Sequence, residues 1–439
     1  VYKRQDMDNG KWYIGRNGTY WYSGNPVAGT GFVHNDLLTG ASTYGGLVPR
    51  FSNATGGATQ QFSVNFGQKS LIYTPPTGYK KLNSNNIPVD ATPSIIRPQK
   101  HFNTVIYTGN GSSRIIDSGF ATGFVWCKSR SVNGGQHFLS DSIRGEGKLL
   151  QAESNAAEYT AGGNGINANG AIWGGGVGVN GNGETYVNWF WKAGGAAVTN
   201  TDGDITSQVS VNEKAGFSMA TYTGSTASGA LTVGHGLGKK PAWVIIKRRD
   251  STGDWIVGHQ GLATNAFANN KFLKLNASNS VFTNSLVWGA EPTTTVTQIV
   301  TNGAGGAANL TSSGTYVMYS WAEIPGFSKF GSYTGNGNAD GSFIHTGFRP
   351  ALVIFKSTSA SESWQIKDNK RVGYNDQNHT LFANNTNTEY TTAQMDLLSN
   401  GFKLRNGGGG SNGGGESLIY MAFAEQPGNT SYGTETNAR

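Results

Sequence analysis

YTGNGNADGSFIHTGFRPALVIFKST (residues 333–358) carries the plan of this chain. A turn-forming Tyr-Thr-Gly-Asn-Gly opens it, and an apolar run ending on a lysine closes it. β-Branched and aromatic residues in a short run bounded by Gly/Asn clusters read as a strand. The same text occurs twice more: Tyr107-Thr108-Gly109-Asn110-Gly111 leads to FVWCKSR (124–130), and Tyr222-Thr223-Gly224-Ser225 leads to WVIIKRR (243–249). Each unit ends on a second apolar run: TYVNWFWKA (185–193), TYVMYSWAE (315–323) and SLIYMAFAE (417–425). The openings recur at intervals of about 110 residues, the size of a small domain rather than of a solenoid unit. A chain that repeats one domain over most of its length is expected to build or bind something, because catalysis needs only one site.

Composition agrees with a β-rich globular protein. The 439 residues include 65 Gly and only 13% charged residues, yet 11% are aromatic and 11 are Trp. Disordered segments lack aromatics, so the Gly, Asn, Ser and Thr read as turn material between strands. The net charge of +7 is thinly spread, its densest cluster being Lys247-Arg248-Arg249. Nucleic-acid binders concentrate basic residues on a stripe or patch, so no nucleic-acid partner is expected. A single cysteine, Cys127, rules out an internal disulfide and a four-cysteine zinc site, and its apolar neighbours predict a buried thiol. No apolar stretch reaches the roughly 18 residues of a spanning helix, so no membrane insertion is expected. VYKRQ (1–5) reads as a non-native leader with the true start upstream.

The expected fold is all-β: a partial sandwich followed by three homologous β-sandwich repeats. The boundaries read 6–82 for the N-terminal unit, 83–100 for a linker bearing Pro88, Pro93 and Pro98, and 101–192 for repeat one. Then come a linker (193–214), repeat two (215–325), repeat three (326–427) and a polar tail (428–439). Each repeat is expected to hold its own core, with Val125, Cys127, Val244, Ile246, Val353 and Phe355 or their strand neighbours on the core faces. No segment shows a sustained helical period, and the best candidates for a helical turn are around Ser154–Glu158 and Thr392–Leu397.

Two resemblances follow from particular motifs. DMDNGKWYIGRNGTY (6–20), LVPRF (47–51) and VNFGQKSLIYTPPTGYKKL (64–82) resemble the C-terminal half of a SPRY domain, a concanavalin-like sandwich. The resemblance implies protein or peptide binding through loops and no catalytic residues. The three repeats, with this half-domain before them, resemble the repeat-bearing structural and tail-fibre proteins of marine tailed phages. That resemblance implies a virion component, with other virion proteins and a host-surface glycan or protein as partners, acting as a homo-oligomer. Multivalent weak binding would then supply avidity. The alternatives are a bacterial surface or secreted adhesin with lectin-like sandwiches, and a polysaccharide depolymerase.

Glycan-binding surfaces combine flat aromatic faces with hydrogen-bonding side chains, and one recurring set has both. His137, Trp255 and Trp364 occupy matching positions, followed four residues later by Asp141, His259 and Asp368. Arg144 and Arg371 come three residues after their aspartates, where the middle repeat has Leu262. Trp255, His259, Trp364, Asp368, Arg371, Asp141 and Arg144 are therefore the candidate binding residues. The competing reading is that the aromatics pack in a core while Asp and Arg pair locally and cap a turn.

A glycosidase needs two carboxylates about 5–10 Å apart, one with a raised pKa. Glu158 matches Glu389, and Glu323 matches Glu425, but the middle repeat has no acid matching Glu158 and the first has Lys192 in the other position. No catalytic residue is assigned. Asn200, Asp202 and Asp204 alternate like calcium ligands, yet Gly203 falls between the acids and no Glu follows at the twelfth position. That segment reads as a turn, and neither metal nor cofactor is expected. VGHGLG (233–238) and NGGGGSNGGG (406–415) read as turns for want of an adjoining amphipathic helix.

Overall fold

A computed structural model describes residues 2–6, 11–16, 19–33, 76, 95–225, 227, 229–285, 287–301, 314–375 and 377–427. The chain divides into two compact units, 1–90 and 91–439. In the first, Tyr2–Asp6 pairs antiparallel with Lys11–Arg16, which pairs with Thr19–Tyr20. Tyr2–Gln5 thus belong to a hairpin, opposite Trp12–Gly15. The LVPRF (47–51) stretch and all of 64–82 except residue 76 lie outside the described residues, as do most of the linker and the polar tail.

The second unit is built from one five-strand plan used three times, antiparallel throughout. Opening strands are Phe102–Thr108, Phe217–Thr223 and Ser328–Thr334. Lysine-bearing strands are Phe124–Ser129, Trp243–Arg248 and Phe348–Ser357. Third strands are His137–Asp141, Ile256–His259 and Gln365–Asp368, and fourth strands are Lys148–Gln151, Lys271–Lys274 and Gln377–Phe382. Closing strands are Thr185–Trp191, Thr315–Trp321 and Ser417–Pro427. The spatial order is opening, closing, lysine, third, fourth in every repeat. Each closing strand is therefore central, which explains why its residues are apolar on both faces.

Alternation along the lysine strands sends side chains into different cores. Phe124 and Trp126 enter a central core together with Trp243 and Ile245, while Val125 and Cys127 face a smaller core of repeat one and Val244 and Ile246 one of repeat two. In repeat three, Leu352 to Phe355 all belong to the central core. The six residues expected in cores, Val125, Cys127, Val244, Ile246, Val353 and Phe355, are each 0% exposed.

The central core is common to all three repeats, where the sequence suggested one core apiece. The last paired aromatics of the closing strands, Trp191, Trp321 and Phe423, come together at its centre. The Trp191 ring lies 6.2 Å from Trp321 and 5.5 Å from Phe423. Phe124 reaches Tyr319 at 4.8 Å, Phe102 stacks on Phe423 at 5.3 Å, and Trp243 meets Phe330 at 6.2 Å. Contacts thus run from one to two, two to three and three back to one: the repeats close a ring about a pseudo-threefold axis. Buried aromatics of this size dominate core energetics. The burial is large enough to leave the Trp191, Trp243 and Trp321 indole N–H groups without an oxygen or nitrogen acceptor among the described residues.

The repeated Tyr-Thr-Gly marks where each opening strand leaves its sheet. Tyr107 stacks on Tyr186 and Tyr222 on Tyr316, and the glycine N–H of all three copies donates across to the closing-strand side: Gly109 to Glu184 O, Gly224 to Gly314 O and Gly335 to Glu416 O. Asn180 and Asn412 staple the turn in repeats one and three through their side-chain amides to Asn110 and Asn336.

Two expectations need correction. The stretch 193–214 contains Val198–Asn200 and Ser207–Asn212, which extend the sheet of repeat two beyond its opening strand, so it is part of the fold. The two suspected helical turns are not helical: Ser154–Glu158 is a connection, and Thr392–Leu397 lies inside the strand Tyr390–Leu398. Tertiary pairing overrides weak local preference there.

Candidate functional site

The residues singled out in the sequence meet at the three seams between repeats. At matching places the aromatic or imidazole N–H at the start of a third strand points to a backbone carbonyl at the end of the preceding repeat's fourth strand. Trp255 Nε1 donates to Gln151 O at 2.8 Å, Trp364 Nε1 to Lys274 O at 2.9 Å, and His137 Nε2 lies 2.9 Å from Phe382 O. Four residues on, the side chain turns to the closing strand of the next repeat. Asp141 accepts from Tyr319 Oη at 2.6 Å, Asp368 accepts from Trp189 Nε1 at 3.1 Å, and His259 Nε2 is 3.2 Å from Tyr420 O.

Two seams also carry a chain of charges. Arg144 pairs with Asp141 at 2.5 Å and with Glu158 at 2.8 Å, and Glu158 is gripped from repeat two by Arg249 at 3.0 Å. The counterpart links Arg371 to Asp368 at 2.7 Å and to Glu389 at 2.7 Å, with Arg130 of repeat one on Glu389 at 2.8 Å. Burial pushes the Glu389 carboxyl up, but the Arg130 and Arg371 guanidiniums outweigh it and hold it down at about 2. Glu158 is lowered in the same way, burial being overcome by Arg249 and Arg144. Each aspartate also accepts the backbone N–H of its arginine three residues on, a capped turn.

The seam between repeats two and three is the exception. The backbone bond Glu158 N to Arg249 O, repeated as Glu389 N to Arg130 O, recurs here as Val281 N to Thr358 O at 3.0 Å. Val281 therefore stands where the other seams have glutamate, Thr358 where they have the gripping arginine, and Leu262 where they have the central one. His259 replaces aspartate and is driven down to about 3 by burial, so it is neutral. With no charged arms to fill it, this seam holds a cleft of about 470 Å³.

All seven candidate binding residues lie inside these seams. Trp255, His259, Trp364, Asp368 and Asp141 are 0% exposed, and Arg144 and Arg371 are 7% exposed. None offers a ring face or a free polar edge to an outside ligand; the reading with local Asp–Arg pairing and turn capping describes their geometry. Sequence reasoning missed their partners Arg130, Arg249, Tyr319 and Trp189, which belong to other repeats. It also missed Glu153, which burial raises to about 7 and which accepts the backbone N–H of His137.

The lysines that end the repeated runs are buried as well. Lys128, Lys247 and Lys356 are 0% exposed, each donates to carbonyl oxygens, and burial lowers each to about 8. Among the described residues no group of three His, Cys, Asp or Glu could hold a metal ion. Cys127 is buried and free, its thiol pushed up to about 12 by burial. No helix of the described residues is long and apolar enough to cross a membrane.

Fold and seams together define a class: an all-β protein whose three repeats are sealed into one pseudo-threefold body. The chain belongs to the family described as "Domain of unknown function (DUF7483)", matched over residues 97–427. One family match therefore covers all three repeats. No curated protein and no solved structure compared with the chain gives a match.

Proposed function

We propose that this chain is a non-enzymatic structural protein of a tailed-phage virion, a tail-fibre or appendage component that contacts the host surface through multivalent binding. The observation that carries this reading is the closed ring. The recurring charged and aromatic positions lock the repeats together into one body. Loops on a rigid scaffold are where binding is usually found. Glu158 and Glu389, the acids a depolymerase would be asked to use, each sit between two arginines and stay ionised, which is unsuited to a general acid. The SPRY-like and phage-like sequence motifs support the location, and a host-surface glycan or protein is the partner we propose. Because the seams of one chain are not three equal sites, multivalency requires oligomerisation.

The test is immuno-electron microscopy with an antibody against residues 97–427 on purified particles of the encoding phage. Labelled tails are the expected result. Label on uninfected bacterial surfaces instead of particles would replace this reading with the adhesin.

A further inference from the structure

We propose that the cleft between repeats two and three is a binding site for a neutral sugar. It arises because Leu262, Val281 and Thr358 occupy positions that the two equivalent seams fill with an Arg–Glu–Arg chain. Its volume, about 470 Å³, is that of a small-molecule site.

The lining has two chemical halves. Leu262 and Val281 from repeat two supply apolar surface. Facing them are hydroxyls of repeat three. Ser332 and Thr334 lie two apart on the opening strand, and Thr334 is directly paired with Ser417 on the closing strand, so all three share one sheet face. It is the face of Phe330, whose ring packs on Trp243 and His259 of repeat two. Ser332, Thr334 and Ser417 are exposed, and their hydroxyls have no hydrogen-bond partner among the described residues. Thr358 and Ser359, by contrast, are used internally, on Ser417 O and Ser417 N.

Among the described lining residues Tyr333 alone has an ionisable side chain, and its phenol, on the other face of the strand, donates to Ser411 O at 2.7 Å. A charged ligand would give up hydration here with no countercharge. A neutral pyranose matches instead, since it carries an apolar ring face and a rim of hydroxyls that donate and accept. The inference does not rest on a virion location, and it gives one site per chain.

The test uses the full chain and saturation-transfer NMR with glucose, galactose, mannose, N-acetylglucosamine and N-acetylgalactosamine, and with glucuronic and sialic acids as charged counterparts. At least one neutral sugar is expected to bind, and the acids at least tenfold more weakly. The triple variant Leu262→Arg, Val281→Glu, Thr358→Arg copies the other two seams and should abolish binding. Ser332→Trp, at the exposed lip, does the same without altering the buried seam, which covers the case where the triple variant fails to fold. Absence of binding by all five neutral sugars, preference for an acid, or binding that survives the folded variants would overturn the proposal. A virion labelled by antibody in the previous test leaves all these outcomes open, so the two readings fail separately.

Discussion

Asp141–Arg144 and Asp368–Arg371 were legible as local pairs from their spacing, and they form. What the spacing could not tell is that their outward partners come from another repeat. A buried pair that loses one member leaves an uncompensated charge, which costs about 3–5 kcal/mol. Arg371→Ala is therefore expected to lower the unfolding free energy by that amount in denaturant titrations, whereas Lys240→Ala should change it by less than about 1 kcal/mol, because the Lys240–Glu291 pair is solvent-exposed. The repeat lysines make a pH prediction. Their folded pKa values, about 8, lie below the ordinary 10.5, so the unfolded chain binds more protons between those values. Stability then rises with pH across that window. From pH 8 to 9.5 the gain is on the order of 1 kcal/mol per lysine. Denaturant midpoints at the two pH values check it, and Lys247→Met should reduce the slope. On the acid side Glu389 is shifted in the same direction: its contribution is present above 4.5 and is lost as pH falls through about 2. His259, lowered to about 3, adds to the same acid loss as it is forced to charge.

At the scale of elements, the repeated strands were readable because both faces of a central strand are buried and the apolar runs are continuous. The short partners were not: Val198–Asn200 is a polar edge strand and Ser207–Asn212 lies between it and the opening strand, and the pairing of both depends on the sheet they join. Tyr390–Leu398 escaped for a similar reason, since its neighbours are the fourth strand and Gly401–Leu404, reached after a turn. The Tyr-Thr-Gly turn has a stringent demand. A Cβ on Gly335 would stand 2.2 Å from Gly413 O, and one on Gly109 2.0 Å from Gly181 O. Gly335→Ala should force the strand ends apart and cost about 1–3 kcal/mol. Thermal melts would register it, and faster amide exchange confined to the ends of the opening and closing strands of repeat three would locate it.

For the whole molecule, the shared core predicts that the repeats do not unfold separately. Trp191, Trp321 and Phe423 bury one another across repeat boundaries, so removing one repeat exposes the aromatic faces of both neighbours. Hydrogen exchange on the full chain is expected to give the three closing strands the same opening free energy, as one cooperative body. Three distinct values would mean three independent domains. A chain ending at residue 325 should accordingly fail to fold, judged by loss of near-ultraviolet dichroism. By itself the sequence determined the all-β class, the threefold repetition, the buried strands and the local Asp–Arg turns, because each depends on neighbours within a few residues. Only the tertiary structure decided that the repeats share one core, that the conspicuous Trp, Asp and Arg residues seal seams, and that the seam bearing Leu262, Val281 and Thr358 stays open. Those facts depend on which surfaces meet across more than a hundred residues of chain, and no local pattern of apolar and polar residues encodes that.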